Sequence, residues 1–387
     1  MAQFVDPAAL GTVAGEIQRR MREGEIPGAC AAVYVKDQLV YETSVGIANE
    51  QGEPLARDSI FHMASMTKPI TGVAVMQQIE AGKLSVDDPI SRWFPQFAKM
   101  EVAEYADKVR KVITGTHPSP REITVRDCLT HSSGIGLGAA YDAAKNEARL
   151  FAGETVSDVA PRLAAIPLQY DPGTECSYSP IAAPDILAAI VEQISGEKWE
   201  NYVQKHIFEP LGMADTGFCI PESKRARRVQ AFAKKDGKCV PAKITDSEFY
   251  NDIPYLISGG AGLNSTLADY SRFARALCRG GELDGARILA PESVETLRTP
   301  HLTRACRGVS DTFNWSFLLY VRTAKAGRQV LPAGSYGWSG AFGTHFFVAP
   351  ELSLCAVFLA NTTTSGGAGA ITASDFERAV MSAVRDC

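Results

Sequence analysis

Histidine is scarce in this sequence, with 6 residues in 387, and its 9 cysteines include no C-x-x-C pair. Neither residue type has the spacing of a zinc site, and an odd cysteine count without a framework argues against structural disulfides. Cys355 lies in the apolar run Leu352-Ser353-Leu354-Cys355-Ala356-Val357-Phe358-Leu359, where a free thiol behaves as a small hydrophobe. A reducing compartment is therefore expected. Excess positive charge is also lacking: the net charge is -5, which gives no general attraction to phosphate backbones or anionic lipid. The one basic run, Lys224-Arg225-Ala226-Arg227-Arg228, is short and reads as a solvated face. No apolar stretch approaches the roughly 20 residues that span a bilayer. Met1 to Pro7 has no basic segment followed by an apolar one, so it is not read as a secretory signal. The expectation is a cytoplasmic protein with neither nucleic acid nor membrane as partner. At 387 residues, with 45% hydrophobic and 21% charged residues, the chain suits two domains, or one large domain with an insertion. It contains no repeats and no low-complexity segment.

What is present is a chemistry-bearing stretch, Phe61-His62-Met63-Ala64-Ser65-Met66-Thr67-Lys68-Pro69-Ile70. Residues i and i+3 share a helix face, so Ser65 and Lys68 can meet. Serine is a weak nucleophile until a base takes its proton. An amine serves as that base only if its pKa falls from about 10.4 toward roughly 7 to 8. Ile70, Val73, Ala74 and Ile79 follow at helical spacing, which carries the lysine toward a core. A second Ser-x-x-Lys, Ser195-Gly196-Glu197-Lys198, follows the apolar run Ile186, Leu187, Ile190, Val191, Ile194 and contains a glycine. It reads as a helix C-terminus.

Asp6-Pro7 starts a helix that continues through Leu10, Val13, Ile17 and Met21 to Gly24. Cys30 to Val35 and Leu39 to Val45, joined at Lys36-Asp37, predict a hairpin. The Ser65 helix ends near Gly82. From Leu84 to Pro300 the pattern is helical: Val125 to His131, Ile181 to Ile194, Thr266 to Cys278 and Pro291 to Leu297. His131 itself has no acidic partner in sequence and reads as a structural hydrogen-bonding group. Strand character returns at Trp315 to Val321, Tyr336 to Gly340, Thr344 to Val348 and Leu354 to Leu359, before a helix from Ile371 to Val384. The expected fold is α+β: a central antiparallel sheet from both termini, flanked by helices. The expected domains are residues 1–82 with 305–387, and a mainly helical insertion at 83–304, with the site at their interface.

A serine and a lysine need a further proton-handling group and a second oxyanion amide. Tyr178, in Thr174-Glu175-Cys176-Ser177-Tyr178-Ser179-Pro180, and Gly337-Trp338-Ser339-Gly340-Ala341 are the candidates. In the order and spacing of these motifs, and in Leu129-Thr130-His131-Ser132-Ser133-Gly134, nearly the whole chain resembles the serine β-lactamase and penicillin-binding-protein superfamily. More narrowly, it resembles the class C β-lactamase-like family VIII carboxylesterases. The resemblance implies Ser65 as acylated nucleophile, Lys68 as base or proton shuttle, and Tyr178 sharing proton transfer as a phenolate-like base. It places Trp338-Ser339-Gly340 at the K-T-G strand, with Pro180, as substrate-binding residues. The Ser65 and Ala341 amides become the oxyanion hole, and no metal or cofactor is implied. Two departures stand out. Pro180 replaces the Asn of Tyr-x-Asn and cannot bond a substrate amide, and Trp338 replaces the K-T-G lysine, removing a cation suited to carboxylates. The expected function is hydrolysis of small or short-chain acyl esters through an acyl-enzyme. The alternatives are a β-lactamase, D-amino-acid peptidase, amidase or acyltransferase on the same fold, or a penicillin-binding protein without turnover. Gly337-Trp338-Ser339-Gly340-Ala341 also resembles G-x-S-x-G, with Ser339 as nucleophile, but it lacks the following helix.

Overall fold

The computed structural model describes residues 3–107, 112–144, 154–244, 247–250, 254–324, 330–367 and 369–386. Parts of the segments 100–120, 135–150 and 220–255 lie outside the described residues. Asp6 accepts a hydrogen bond from the Ala8 amide at 3.0 Å, and Pro7 opens a short 3₁₀ turn that runs into α1 (Thr12–Arg22). Next comes the hairpin of β1 (Gly28–Val35) and β2 (Gln38–Gly46). Its turn residues Lys36 and Asp37 both have positive φ, 49° and 67°, the backbone twist that two-residue hairpin loops require. α2 (Lys68–Glu80) follows, and the middle segment contributes α3 (Ala182–Ser195) and α4 (Leu267–Cys278).

The C-terminal part supplies β3 (Phe313–Trp315), β4 (Tyr320–Arg322), β5 (Tyr336–Ser339), β6 (His345–Ala349) and β7 (Leu354–Leu359). They join the N-terminal hairpin in one antiparallel sheet, ordered β3-β4-β5-β6-β7-β1-β2. The two ends of the chain meet where Leu354 pairs with Val35 and Leu359 with Cys30. Side chains alternate between faces along each strand, so the sheet feeds two cores. Ala31, Val33, Phe347 and Phe358 face α1 and α5 (Ile371–Met381), while Ala32, Tyr34, Phe346 and Val357 face α2 and α4. Asp375 on α5 binds Arg20 and, at 2.6 Å, Arg19 of α1. The fold is α+β, as expected.

Several local expectations change. Trp315 to Val321 is two strands, because Ser316 donates its amide to the Leu319 carbonyl at 3.0 Å and Leu318 takes φ 58°. Every residue of that run is buried, so its apolar pattern hides the turn. Among the described residues the middle segment also holds three hairpins, Glu101–Tyr105 with Ile113–Pro118, Phe232–Lys235 with Lys238–Pro241, and the short Glu282–Leu283 with Ala286–Arg287; the polar faces of the first two mask their strands. Its helix α4 lies across β6, β7 and β1. One core therefore draws residues from both sides of the division expected at 304. The basic run at 224–228 is drawn back to the surface by Asp215, which binds Arg227 at 2.6 Å and Lys224 at 2.8 Å. No helix among the described residues is long and apolar enough to cross a membrane.

Candidate active site

Ser65 sits in a 3₁₀ turn, Ala64–Thr67, and the α-helix proper begins only at Lys68. A 3₁₀ turn has three residues per turn, so residues i and i+3 lie in line. The Lys68 Nζ is 3.2 Å from the Ser65 Oγ. The turn is fixed from outside: Met63 donates its amide to Leu263 O at 2.8 Å, and the Tyr270 hydroxyl donates to Met66 O at 2.8 Å. Ala64 has φ 48°, a left-handed conformation unusual for a residue with a side chain. Ser65 is half-buried, whereas its neighbours Ala64 and Met66 are buried. α2 is buried on all sides from Lys68 to Met76, not along one stripe.

Lys68 is wholly buried and donates to the Gly260 carbonyl at 2.7 Å. Burial lowers its pKa to about 7, against the attraction of Asp185. Asp185, buried on α3, accepts from the Ser258 hydroxyl at 2.5 Å and the Gly259 amide at 2.8 Å, and Ser258 Oγ accepts from the Gly260 amide at 2.9 Å. Burial pushes its carboxyl up to about 6. Asp185 therefore builds the loop whose carbonyl holds Lys68. A Cβ at Gly260 would lie 2.7 Å from Pro180 O, so only glycine fits there.

The Tyr178 hydroxyl donates to the same Ser65 Oγ at 2.6 Å. Its ring stacks on Trp315, with centroids 6.0 Å apart and planes at 6°, meets Trp338 at 5.3 Å, and lies 4.9 Å from Lys68 Nζ. Burial raises the phenol to about 12, opposed by the Ser65 bond and the nearby Trp338 indole N–H. That N–H is close but makes no well-formed hydrogen bond among the described residues. Tyr178 thus holds its proton at neutral pH, and Lys68 is the group poised to lose one. The resemblance implies Tyr178 as a phenolate-like base, whereas burial favours its protonated form.

The end of β5 completes the site. A Cβ at Gly340 would come within 2.2 Å of Met63 O and of Thr344 Oγ1, so glycine lets the strand press against the Ser65 turn. The Gly340 amide donates to Thr344 O at 2.7 Å, and Thr344 Oγ1 donates to Met63 O at 3.1 Å. Among the described residues, neither the Ser65 nor the Ala341 amide makes a hydrogen bond. Both are available to a developing oxyanion. No group of acidic, histidine or cysteine residues among those described has a metal-binding arrangement.

The β-lactamase family model matches residues 13–377. The chain belongs to the β-lactamase family. Among its relatives, Protein Rv1367c of Mycobacterium tuberculosis (strain ATCC 25618 / H37Rv) is 32% identical over 356 residues, covering 87% of this chain and 86% of that one. Esterase EstB of Burkholderia gladioli is 29% identical over 408 residues, covering 96% and 97%. The solved structure of EstCE1, described as a hydrolase with promiscuous acyltransferase activity, superposes with a TM-score of 0.79. It is 24% identical and covers 97% of this chain and 99% of that one. It shares the fold.

In this β-lactamase-family serine hydrolase the remaining expected site residues divide. Trp338 faces Tyr178 and Trp315, and Pro180 is exposed. Ser339 does not face the site. Its hydroxyl lies 2.8 Å from His345 Nδ1, on the sheet face packed by Phe347 and Phe376. Strand alternation sends it away from Trp338, so only its backbone can serve the site, a correction to its expected substrate-binding role. Ser339 is 3% exposed, and the G-x-S-x-G reading has no room for a substrate. The second Ser-x-x-Lys is a helix end: Ser195 Oγ donates to Val191 O at 2.7 Å, and Gly196 caps the helix with φ 71°. Sequence reading missed Asp185 and Trp315. Asp185 gave a signal, as the one acid among apolar neighbours from Ala182 to Val191; Trp315 gave none.

Proposed function

We propose that this protein is a serine carboxylesterase that hydrolyses small or short-chain acyl esters through an acyl-enzyme on Ser65. The observation that carries the reading is the convergence of two proton-handling groups, buried Lys68 and half-buried Tyr178, on one half-buried serine, beside aromatic side chains where the lactamase pattern has a lysine. Neutral Lys68 takes the Ser65 proton as Ser65 Oγ attacks the ester carbonyl, and the Ser65 and Ala341 amides hold the oxyanion. The Tyr178 hydroxyl protonates the departing alkoxide and is reprotonated from the Lys68 ammonium. Water then attacks the acyl-enzyme by the same groups in reverse.

Trp338 is packed against Tyr178 and Trp315, where it backs the site with apolar side chains and offers no cation to a carboxylate. Pro180 offers no side-chain bond to an amide. Both features favour neutral esters over β-lactams and peptides. The relatives named Esterase EstB and Lovastatin esterase support the ester reading, and the one named acyltransferase calJ keeps an alcohol as an alternative acyl acceptor. The test is p-nitrophenyl butyrate beside nitrocefin, with mass spectrometry of the quenched enzyme. Ester turnover and a butyryl adduct on Ser65 are expected. Rapid nitrocefin turnover with negligible ester turnover would replace this reading with a lactamase, and a stable adduct without turnover with a binding protein.

A further inference from the structure

Tyr178 reaches Ser65 from a loop, so something must hold that loop to within a fraction of an ångström. The two residues flanking Tyr178 share one partner, His131. The Ser177 amide donates to the His131 carbonyl at 3.0 Å, and the Ser179 amide donates to His131 Nδ1 at 3.2 Å. The Tyr170 hydroxyl bonds the same His131 carbonyl at 3.0 Å and accepts from the Ser177 amide at 3.1 Å. The His131 ring is 1% exposed. It meets Tyr178 edge-on at 5.0 Å and Trp315 at 4.4 Å. Its backbone is left-handed, φ 57°, a conformation in which His and Asn are enriched.

From this bracket we infer that His131 is a positioning residue for Tyr178: its carbonyl and ring nitrogen fix the backbone on both sides of the tyrosine and thereby aim the phenol at Ser65. The function requires Nδ1 to accept, so the ring proton sits on Nε2 and the ring stays neutral. Burial and the neighbouring Lys68 charge hold its pKa well below the usual histidine range, so the acceptor persists through neutral pH. The inference rests on the proposed acylation of Ser65 with Tyr178 as proton donor.

The test compares His131→Leu with His131→Asn. Asparagine tolerates the left-handed backbone and places its Oδ1 near the position of Nδ1; leucine removes the acceptor and keeps apolar bulk. Active, folded sites are counted by covalent labelling of Ser65 with a fluorophosphonate, and kcat and KM for p-nitrophenyl butyrate are expressed per labelled site. Expected for His131→Leu is a fall in kcat of about 10-fold to 10²-fold, the order that an ångström of misplacement produces, with KM within about threefold. His131→Asn should recover most of the loss, as should its labelling rate. Wild-type kcat per site in His131→Leu overturns the inference, as does a His131→Asn no faster than His131→Leu. Wild-type protein that neither labels nor turns over ester overturns the catalytic reading itself, and the inference falls with it.

Discussion

Ser65 and Ser339 each lie within hydrogen-bond reach of a basic side chain, Lys68 at 3.2 Å and His345 at 2.8 Å. Each set also includes a buried carboxylate: Asp185 near Lys68, and Glu377 3.3 Å from His345 Nε2. By residue type the second set, serine, histidine and glutamate, is the more conventional hydrolase arrangement. Surroundings separate them. Ser339, His345 and Glu377 are closed between the sheet and α5, at 3%, 2% and 5% exposure, and Glu377 is held below the usual carboxyl range by His345 and Arg322 despite its burial. This set has no opening. Ser65 is half-exposed beside two undonated amides, and its base has been stripped of water without a neutralising contact. A nucleophile needs access, an oxyanion site and a base that can give up its proton, and geometry between side chains supplies none of these alone.

The sharpest way to break this comparison is to remove each serine. Ser65→Ala should lower kcat/KM for p-nitrophenyl butyrate by about 10⁴-fold or more, as loss of a nucleophile does, and Ser339→Ala should leave kcat within about twofold. Equal losses would show that the buried set is not inert. Tyr178→Phe, which keeps the aromatic wall and removes the proton donor, should cost at least about 10²-fold in kcat.

The pH profile sharpens the electrostatic half. Lys68 must be neutral to act as base, so kcat/KM should rise with pH through an acid limb near 7. No basic limb should appear below pH 10, because Tyr178 keeps its proton to about 12. Asp185 favours the charged lysine, so Asp185→Asn should move the acid limb to lower pH; stopped-time assays from about pH 5 to 10 measure both limbs. A limb that moves upward would remove Asp185 from the tuning of Lys68. The smallest effect expected is on stability. Ser339→Ala leaves His345 Nδ1 without its partner and should cost about 1–3 kcal/mol in denaturant unfolding, the usual cost of a buried group left unsatisfied.

Much of this was legible in sequence because it is local. Asp6-Pro7 and the Lys36-Asp37 turn are short-range backbone preferences, and the helix at 182–195 and the strand at 354–359 were visible as apolar runs of the right length. Ser-x-x-Lys needs only one turn to bring its members together. Alternation along β5 even contained the correction to Ser339, since Trp338 and Ser339 cannot face the same side. The sequence by itself determined the elements with strong local signals, the sheet's origin in both chain ends and the pairing of Ser65 with Lys68. Only the tertiary structure decided which groups share an environment. Asp185 and Gly260 meet Lys68 across 117 to 192 positions of chain, Trp315 stacks on Tyr178, and the same burial that lowers the lysine raises the tyrosine. Desolvation and long-range contact belong to the assembled core, and no short window of residues encodes them.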